Sequence, residues 1–151
     1  MSLLRKFQDL NNFIYNENYY KLIFGKTKIG FVHRKIAKYL ILNVKGIYLL
    51  EQNIYLENTS EIKLKKIILK ITETLSKKKK LFIPADELFS CRNTIDGKEL
   101  FKLDRKLVEY LGIRGYGVHL IAYIKKRNSY KLWVPKRNKN KLVAPSKFDN
   151  S

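Results

Sequence analysis

Positive side chains gather in the C-terminal part of this 151-residue chain, and negative ones are missing there. No Asp or Glu occurs between Glu109 and Asp149. The basic residues in that interval are Arg114, Lys125, Lys126, Arg127, Lys131, Lys136, Arg137, Lys139, Lys141 and Lys147. A local field of one sign attracts phosphate groups. The segment therefore suits a diphosphate substrate or a nucleic acid equally well.

Other side chains that could catalyse a reaction or bind a metal are scattered. His33 and His119 are the only histidines, and neither has a second His or Cys at the spacing of a zinc site. The apolar neighbours of His119 favour a hydrogen-bonded structural role. Asp86-Glu87 is the only acidic dipeptide, and its place after a proline favours a turn or cap over a metal site. No Ser-His-Asp pattern or phosphate-binding glycine loop stands out, so we predict no catalytic residue and no metal ligand.

Composition bounds the class of protein. The apolar fraction of 45% is enough for a core, and no stretch approaches the roughly 20 apolar residues that span a bilayer. The single cysteine, Cys91, cannot form an internal disulfide. A lone cysteine fits a reducing compartment and a small buried hydrophobe. The N-terminus also lacks the charge pattern of a signal peptide, so we expect a cytoplasmic protein with no membrane partner.

The net charge of +19 raises the possibility of a polyanionic partner, because basic surfaces release counterions from nucleic acids. Most of the 32 basic residues are lysines, however, and they occur in every segment. Lys, Asn and Ile share AT-rich codons, so compositional drift explains much of the charge. The lysine run over 77–80 follows a predicted helix and is typical of a solvated helix end. A small basic nucleic-acid-binding protein or a retained interaction module is therefore an alternative that the sequence does not favour.

Apolar periodicity predicts an α+β fold. The predicted elements, in chain order, are a helix over 3–10, a hairpin of strands over 19–24 and 29–32, a helix over 36–41, a second hairpin of strands over 47–50 and 54–56, and helices over 60–75 and 104–111. Thr59 or Ser60 is expected to cap the long helix, and Gly112 to end the last one. Two antiparallel strands are expected within 117–137, connected by residues 125–130.

The chain from Gly112 onwards carries a recognisable pattern. It reads G-I-R-G-Y-G-V-H-L-I-A-Y-I over 112–124 and K-L-W-V-P-K-R over 131–137, followed by Lys141, Pro145 and F-D-N over 148–150. This resembles the opening of a Nudix hydrolase domain, in the subgroup related to thiamine pyrophosphokinase. That subgroup has G-V-H-(apolar)-x-x-Y and then L-W-V-x-R-R-x-x-x-K-x-T-x-P-G-x-L-D-N. In this chain Val143 stands in place of the Thr, and Ser146 stands in place of the Gly that follows the Pro.

A weaker resemblance to the same subgroup covers residues 1–103. Its members carry an α+β domain of unknown function ahead of the Nudix domain. The residues that match in order are Phe24, Gly30, Phe31, Val32, Ala37 and Leu40, while the later segments over 89–93 and, just beyond this range, 104–107 are recognisable but altered. The Trp and Glu that usually accompany the later segments are missing. The resemblance thus predicts an N-terminal α+β domain over 1–111 and an incomplete Nudix-like β segment over 112–151.

Nudix hydrolases bind Mg²⁺ through paired glutamates on one helix, with the pattern G-x5-E-x7-R-E-U-x-E-E-x-G-U. The metal neutralises the diphosphate and activates a water molecule. No two of the eight glutamates in this chain are adjacent, and the pattern is absent. The resemblance implies that a complete member hydrolyses thiamine diphosphate or a damaged analogue with Mg²⁺. For this chain we expect a sequence that stops before the catalytic helix, holds no cofactor and is inactive alone.

The resemblance also assigns candidate substrate- and phosphate-binding residues, which are Trp133, Lys136, Arg137, Lys141, Asp149 and Asn150. By residue type alone, Trp133 either stacks on a ligand ring or fills the core, and the core is favoured. Arg137 offers bidentate contact to phosphate, whereas Lys136 offers a point charge. The expected partners are a thiamine-diphosphate-like ligand and either a separate Nudix half or a second copy, because unpaired strand edges invite association.

Overall fold

The computed structural model describes residues 13–77, 82–117, 120–140 and 145–149. The predictions made for the helix over 3–10, the lysines over 78–80, His119, Lys141 and Asn150 lie outside the described residues. The chain divides into two compact units, Met1–Gly115 and Tyr116–Ser151. The assignment of 1–111 and 112–151 to successive domains of a Nudix protein stays a prediction.

Helices and strands are mixed in the first unit. Its elements, in chain order, are β1 (Tyr19–Phe24), β2 (Thr27–His33), α1 (Arg34–Asn43), β3 (Ile47–Leu50), β4 (Asn53–Leu56), α2 (Glu61–Ser76), β5 (Leu88–Arg92), β6 (Glu99–Asp104) and α3 (Arg105–Tyr110). The second unit contains β7 (Tyr123–Lys126) and β8 (Ser129–Leu132). This arrangement confirms the predicted α+β class.

A four-stranded sheet with the order β2-β1-β4-β3 forms the centre of the first unit. Two antiparallel hairpins, β1–β2 and β3–β4, are joined by parallel pairing of β1 with β4. Leu22 lies opposite Ile54 across this parallel ladder, and both are almost fully buried. Because side chains alternate between the two faces of a strand, the apolar residues collect on one face. The two predicted hairpins are confirmed.

Two amphipathic helices supply the other apolar surfaces of the core. In α1, Ala37 and Leu40 are fully buried. In α2, the buried apolar residues are Leu64, Ile67, Ile68, Ile71 and Leu75. Spacings of three and four residues place such side chains on one helical face, and the predicted core face of α2 is confirmed. The hydroxyl of Tyr39 in α1 donates to the carbonyl of Thr74 in α2 at 3.4 Å.

The helix caps differ partly from expectation. The Nδ1 atom of His33 accepts a hydrogen bond from the backbone N–H of Lys35 at 3.2 Å and so caps α1. Ser60 occupies the N-cap position of α2, as predicted, but its side chain makes no capping hydrogen bond. Ser60 is exposed, and exposed N-terminal amides of a helix can be satisfied by solvent instead.

The hairpin β5–β6 was not predicted, because only its turn over residues 95–98 carries a sequence signal. Cys91 and Leu103 are buried in it. Cys91 is a free thiol, as expected, and burial raises its pKa to about 11. Because only the thiolate is an effective nucleophile, the side chain acts as a buried hydrophobe.

The acidic dipeptide beside this hairpin makes structural contacts. Asp86 adopts a positive φ of 54° in a bend, and Glu87 forms an ion pair with Arg105 of α3 at 2.9 Å. The carboxylate of Asp104 accepts hydrogen bonds from the backbone N–H groups of Ala85, Asp86 and Lys106. The bend at Asp86 confirms the turn alternative for Asp86-Glu87, while the residue that caps α3 is Asp104.

The helix α3 ends at Tyr110 with Leu111 as its C-cap, and Gly112 follows as the predicted stop. Gly112 has a φ of +55°, a left-handed conformation that favours glycine. Its carbonyl accepts a hydrogen bond from the backbone N–H of Phe31 at 3.1 Å. The end of α3 therefore lies directly against β2.

In the second unit, β7 and β8 form an antiparallel hairpin. The predicted connection over 125–130 is wrong, because Lys125, Lys126, Ser129 and Tyr130 belong to the strands. The turn itself is Arg127-Asn128. Two-residue connections are among the commonest in β-hairpins.

Candidate functional site

Two segments of the second unit form the candidate site, the one that follows β8 and the one over 145–149. The two come together in a short antiparallel contact between Lys136 and Phe148. The backbone N–H of Arg137 donates to the carbonyl of Lys147 at 2.8 Å, and that of Asp149 donates to the carbonyl of Pro135 at 3.0 Å. Residues 135–137 are therefore held beside residues 147–149, which fixes the candidate residues Lys136, Arg137 and Asp149 relative to one another.

An ion pair closes the same contact. Nη1 of Arg137 donates to Oδ2 of Asp149, and both side chains are partly buried. The Nε atom of Arg137 is buried and has no hydrogen-bond partner among the described residues. Because Asp149 already engages the guanidinium, Arg137 is not a free phosphate ligand in this structure.

Trp133 lies on the surface of the second unit. Its backbone N–H donates to the carbonyl of Ala122 at 2.9 Å, while its side chain is 69% exposed. The interpretation that favoured the core is therefore wrong. The physical reason is that β7 and β8 are exposed along their whole length, so the hairpin offers no interior for the indole.

Trp133 lines a concave cavity of about 380 Å³ in the second unit. The other lining residues are Leu120, Ile121, Leu132, Val134, Phe148 and Asp149. The lining is thus mostly aliphatic and aromatic, with one carboxylate. Such a cavity suits an aromatic ring, because mostly apolar walls with few polar groups are typical of small-molecule sites.

The part of the chain that contains this cavity is rich in positive charge. Residues 116–151 contain nine Lys and Arg residues and a single acidic residue, Asp149. Among the candidates, Lys136 is exposed, and it has no ion pair with any described residue. Its ammonium group therefore remains available to a phosphate.

The structure brings together some of the predicted residues. Trp133 and Asp149 line one cavity, and Arg137 pairs with Asp149. Phe148 and Ile121 also line the cavity but were missed by sequence reasoning. The apolar type of these residues gave no reason to separate them from core positions.

The described residues of this cavity supply apolar contacts, one carboxylate and nearby positive charge. Within residues 13–77, 82–117, 120–140 and 145–149, no cluster of three or more His, Cys, Asp or Glu could hold a metal ion. Asp149 is the one carboxylate that lines the cavity, and it is engaged by Arg137. The site can hold a ring and attract phosphate groups, but it does not contain paired carboxylates for a metal.

Comparison with known proteins adds a family relation. Nudix hydrolase 20, chloroplastic, of Arabidopsis thaliana is 32% identical over 65 residues, which cover 43% of this chain and 17% of that protein. Nudix hydrolase 24, chloroplastic, of the same plant is 23% identical over 129 residues, which cover 81% of this chain and 34% of that protein. The chain is related to Nudix hydrolases. No protein-family profile matches it.

The relation to Nudix hydrolases has a limited extent. The matches span 17% and 34% of the two Arabidopsis proteins. They favour a hydrolase relative over the nucleic-acid-binding alternative. No helix in the described part of the chain is long and apolar enough to cross a membrane, and the cytoplasmic location stays a prediction.

Proposed function

We propose that this chain corresponds to the N-terminal region of a thiamine-type Nudix diphosphate hydrolase, and that its second unit binds the substrate. The supporting observation is Trp133, which is exposed and lines an apolar cavity next to the ion-paired Arg137–Asp149 contact. An exposed indole in a concave apolar cavity is suited to stacking on a planar ring. The ligand class is a heteroaromatic ring that carries a diphosphate.

In this proposal the polar residues have different roles. Arg137 and Asp149 stabilise the contact between the two segments that carry Trp133 and Phe148, because their ion pair joins these segments. Lys136 supplies charge to the phosphates, as an exposed cation without a carboxylate partner among the described residues. Lys141 and Asn150 remain candidates on the resemblance alone.

The catalytic glutamates must come from elsewhere in this proposal. The eight glutamates of the chain include no adjacent pair, so the Mg²⁺ site of a Nudix hydrolase cannot be assembled from them in the family's pattern. A Nudix helix outside these 151 residues would supply it. These 151 residues are then a binding region without hydrolytic activity of their own.

The purified chain with Mg²⁺ should release no phosphate from thiamine diphosphate above the buffer background. The reason is that no carboxylate pair is available to hold the metal beside the diphosphate. Phosphate release measured with excess substrate over several hours tests this expectation. A metal-dependent turnover that follows the protein through a second purification would contradict it.

Thiamine diphosphate should bind the chain and change the fluorescence of Trp133, which is the only tryptophan and therefore reports on this cavity alone. Lys136→Ala should weaken binding by about three- to tenfold, since it removes one charge-assisted contact. The matched control is Lys125→Ala on the exposed strand β7, which should leave the affinity unchanged. Titration at physiological salt measures both. No fluorescence change, or equal weakening by the two variants, would overturn the proposed site.

A further inference from the structure

The first unit contains a second concave pocket, with a volume of about 360 Å³. Three cationic residues line it, namely Lys28, Arg92 and Arg114, and no Asp or Glu does. They come from three distant parts of the sequence: the start of β2, the end of β5 and the segment after α3. The fold therefore concentrates positive charge in one cavity that no pattern in the sequence reveals.

Two glycines build the wall of this pocket. Gly30 of β2 and Gly112 after α3 lie backbone against backbone, because the N–H of Phe31 donates to the carbonyl of Gly112. A Cβ atom on Gly30 would lie 2.5 Å from the carbonyl oxygen of Leu111. The close approach that shapes the pocket therefore requires glycine.

Arg92 is held in place by neutral partners. Its Nε donates to the hydroxyl of Ser90 at 3.0 Å, and its Nη1 donates to the carbonyl of Gly97 at 2.8 Å. These contacts fix the guanidinium without neutralising its charge. A preorganised guanidinium loses little entropy when it binds an anion.

The other two cations also lack carboxylate partners. Nζ of Lys28 lies over the ring of Phe31, 4.7 Å from its centroid. Neither Lys28, Arg92 nor Arg114 forms an ion pair with any described residue, whereas Arg105 and Lys106 of the neighbouring helix do. Glu99 lies opposite Arg92 in the β5–β6 ladder but does not line the pocket. No carboxylate of the described residues therefore balances the positive charge in the pocket.

We propose that this pocket binds the phosphate or diphosphate group of a small phosphorylated molecule. Charge-assisted hydrogen bonds from guanidinium and ammonium groups are the usual means of holding such a group. Asn93 adds a polar side chain to the lining. A concave pocket bounded by backbone accommodates a compact anion rather than an extended strand. The inference stands apart from the proposed function of the second unit, since all its residues lie in the first.

Inorganic pyrophosphate is the probe for this site. Added to the full chain at physiological salt, it should bind with one-to-one saturation by calorimetry. The amide resonances of Gly30 and Gly112 should shift in NMR spectra, while the fluorescence of Trp133 in the second unit reports separately on the other cavity. Resonance shifts confined to the second unit would overturn the assignment of the pocket.

The double variant Lys28→Gln and Arg114→Gln should weaken pyrophosphate binding at least about tenfold, the equivalent of about 1.4 kcal/mol. The matched control is Lys45→Gln with Arg127→Gln, which also removes two positive charges but at exposed positions that do not line the pocket. The control should retain the affinity of the parent chain. Equal weakening in both variants would show that pyrophosphate responds only to net charge, and would overturn the site, as would the absence of saturable binding.

Discussion

Replacing Gly112 with alanine should lower the free energy of unfolding of the first unit by about 3 kcal/mol, through backbone strain and overpacking together. Gly112 has a φ of +55°, which a residue with a Cβ atom rarely adopts. The added Cβ would also lie only 2.0 Å from the carbonyl oxygen of Phe31. The carbonyl belongs to the backbone of β2 and the position of the Cβ is fixed by the backbone of residue 112, so neither can move without disturbing the contact between α3 and β2.

The control for this variant is Gly115→Ala in the same segment. Gly115 has no positive φ, and a Cβ there would meet the side chain of Val108 at 3.9 Å, an ordinary contact distance. Urea denaturation followed by far-UV circular dichroism measures both variants. Tryptophan fluorescence is unsuitable, because Trp133 lies in the second unit. A loss below about 1 kcal/mol for Gly112→Ala would mean that the backbone contact tolerates a side chain, against this interpretation.

Truncation of Leu40 to alanine should have a similarly large effect, about 3 kcal/mol. Leu40 is fully buried in the core beneath the four-stranded sheet, and its loss would leave a cavity among large apolar neighbours. Leu42, two residues later in α1, is 83% exposed. Leu42→Ala removes the same atoms from the same helix without opening a cavity, so it should change stability by less than about 0.5 kcal/mol.

Thermal or urea unfolding of the two leucine variants and of the parent chain measures the change in the free energy of unfolding for each substitution. Equal losses would show that burial does not distinguish the two positions, since replacing Leu by Ala lowers helix propensity at neither of them. That result would contradict the placement of Leu40 in the core and Leu42 outside it.

Helices and strands with a periodic apolar pattern could be predicted from the sequence, because burial of one apolar face is enough to determine the type of element. In α2, Leu64, Ile68 and Ile71 repeat at helical spacing, and the structure buries them. The β1–β2 hairpin followed from β-rich residues around Gly25. The β5–β6 hairpin did not, because Ser90 and Lys102 interrupt any simple pattern, and its strands depend on pairing with each other.

The candidate site was less accessible to sequence reasoning. Residue type placed Trp133 in a core, yet the hairpin before it is exposed on both faces and offers none. The ion pair of Arg137 with Asp149 depends on the backbone contact between Lys136 and Phe148, which no spacing rule supplies. Which of these residues bind a ligand stays a prediction.

The strand order also constrains how the first unit folds. Each hairpin joins strands that are neighbours in the chain, and isolated hairpins form in about 1–10 μs. The parallel ladder is different, because Lys21 finds its partner Asn53 only after the chain has passed through β2, α1 and β3. Closing that loop costs conformational entropy, which is offset only when the hydrogen bonds and side-chain contacts of the parallel ladder form. During synthesis, β1 therefore waits with one edge unpaired until the residues up to Leu56 have left the ribosome.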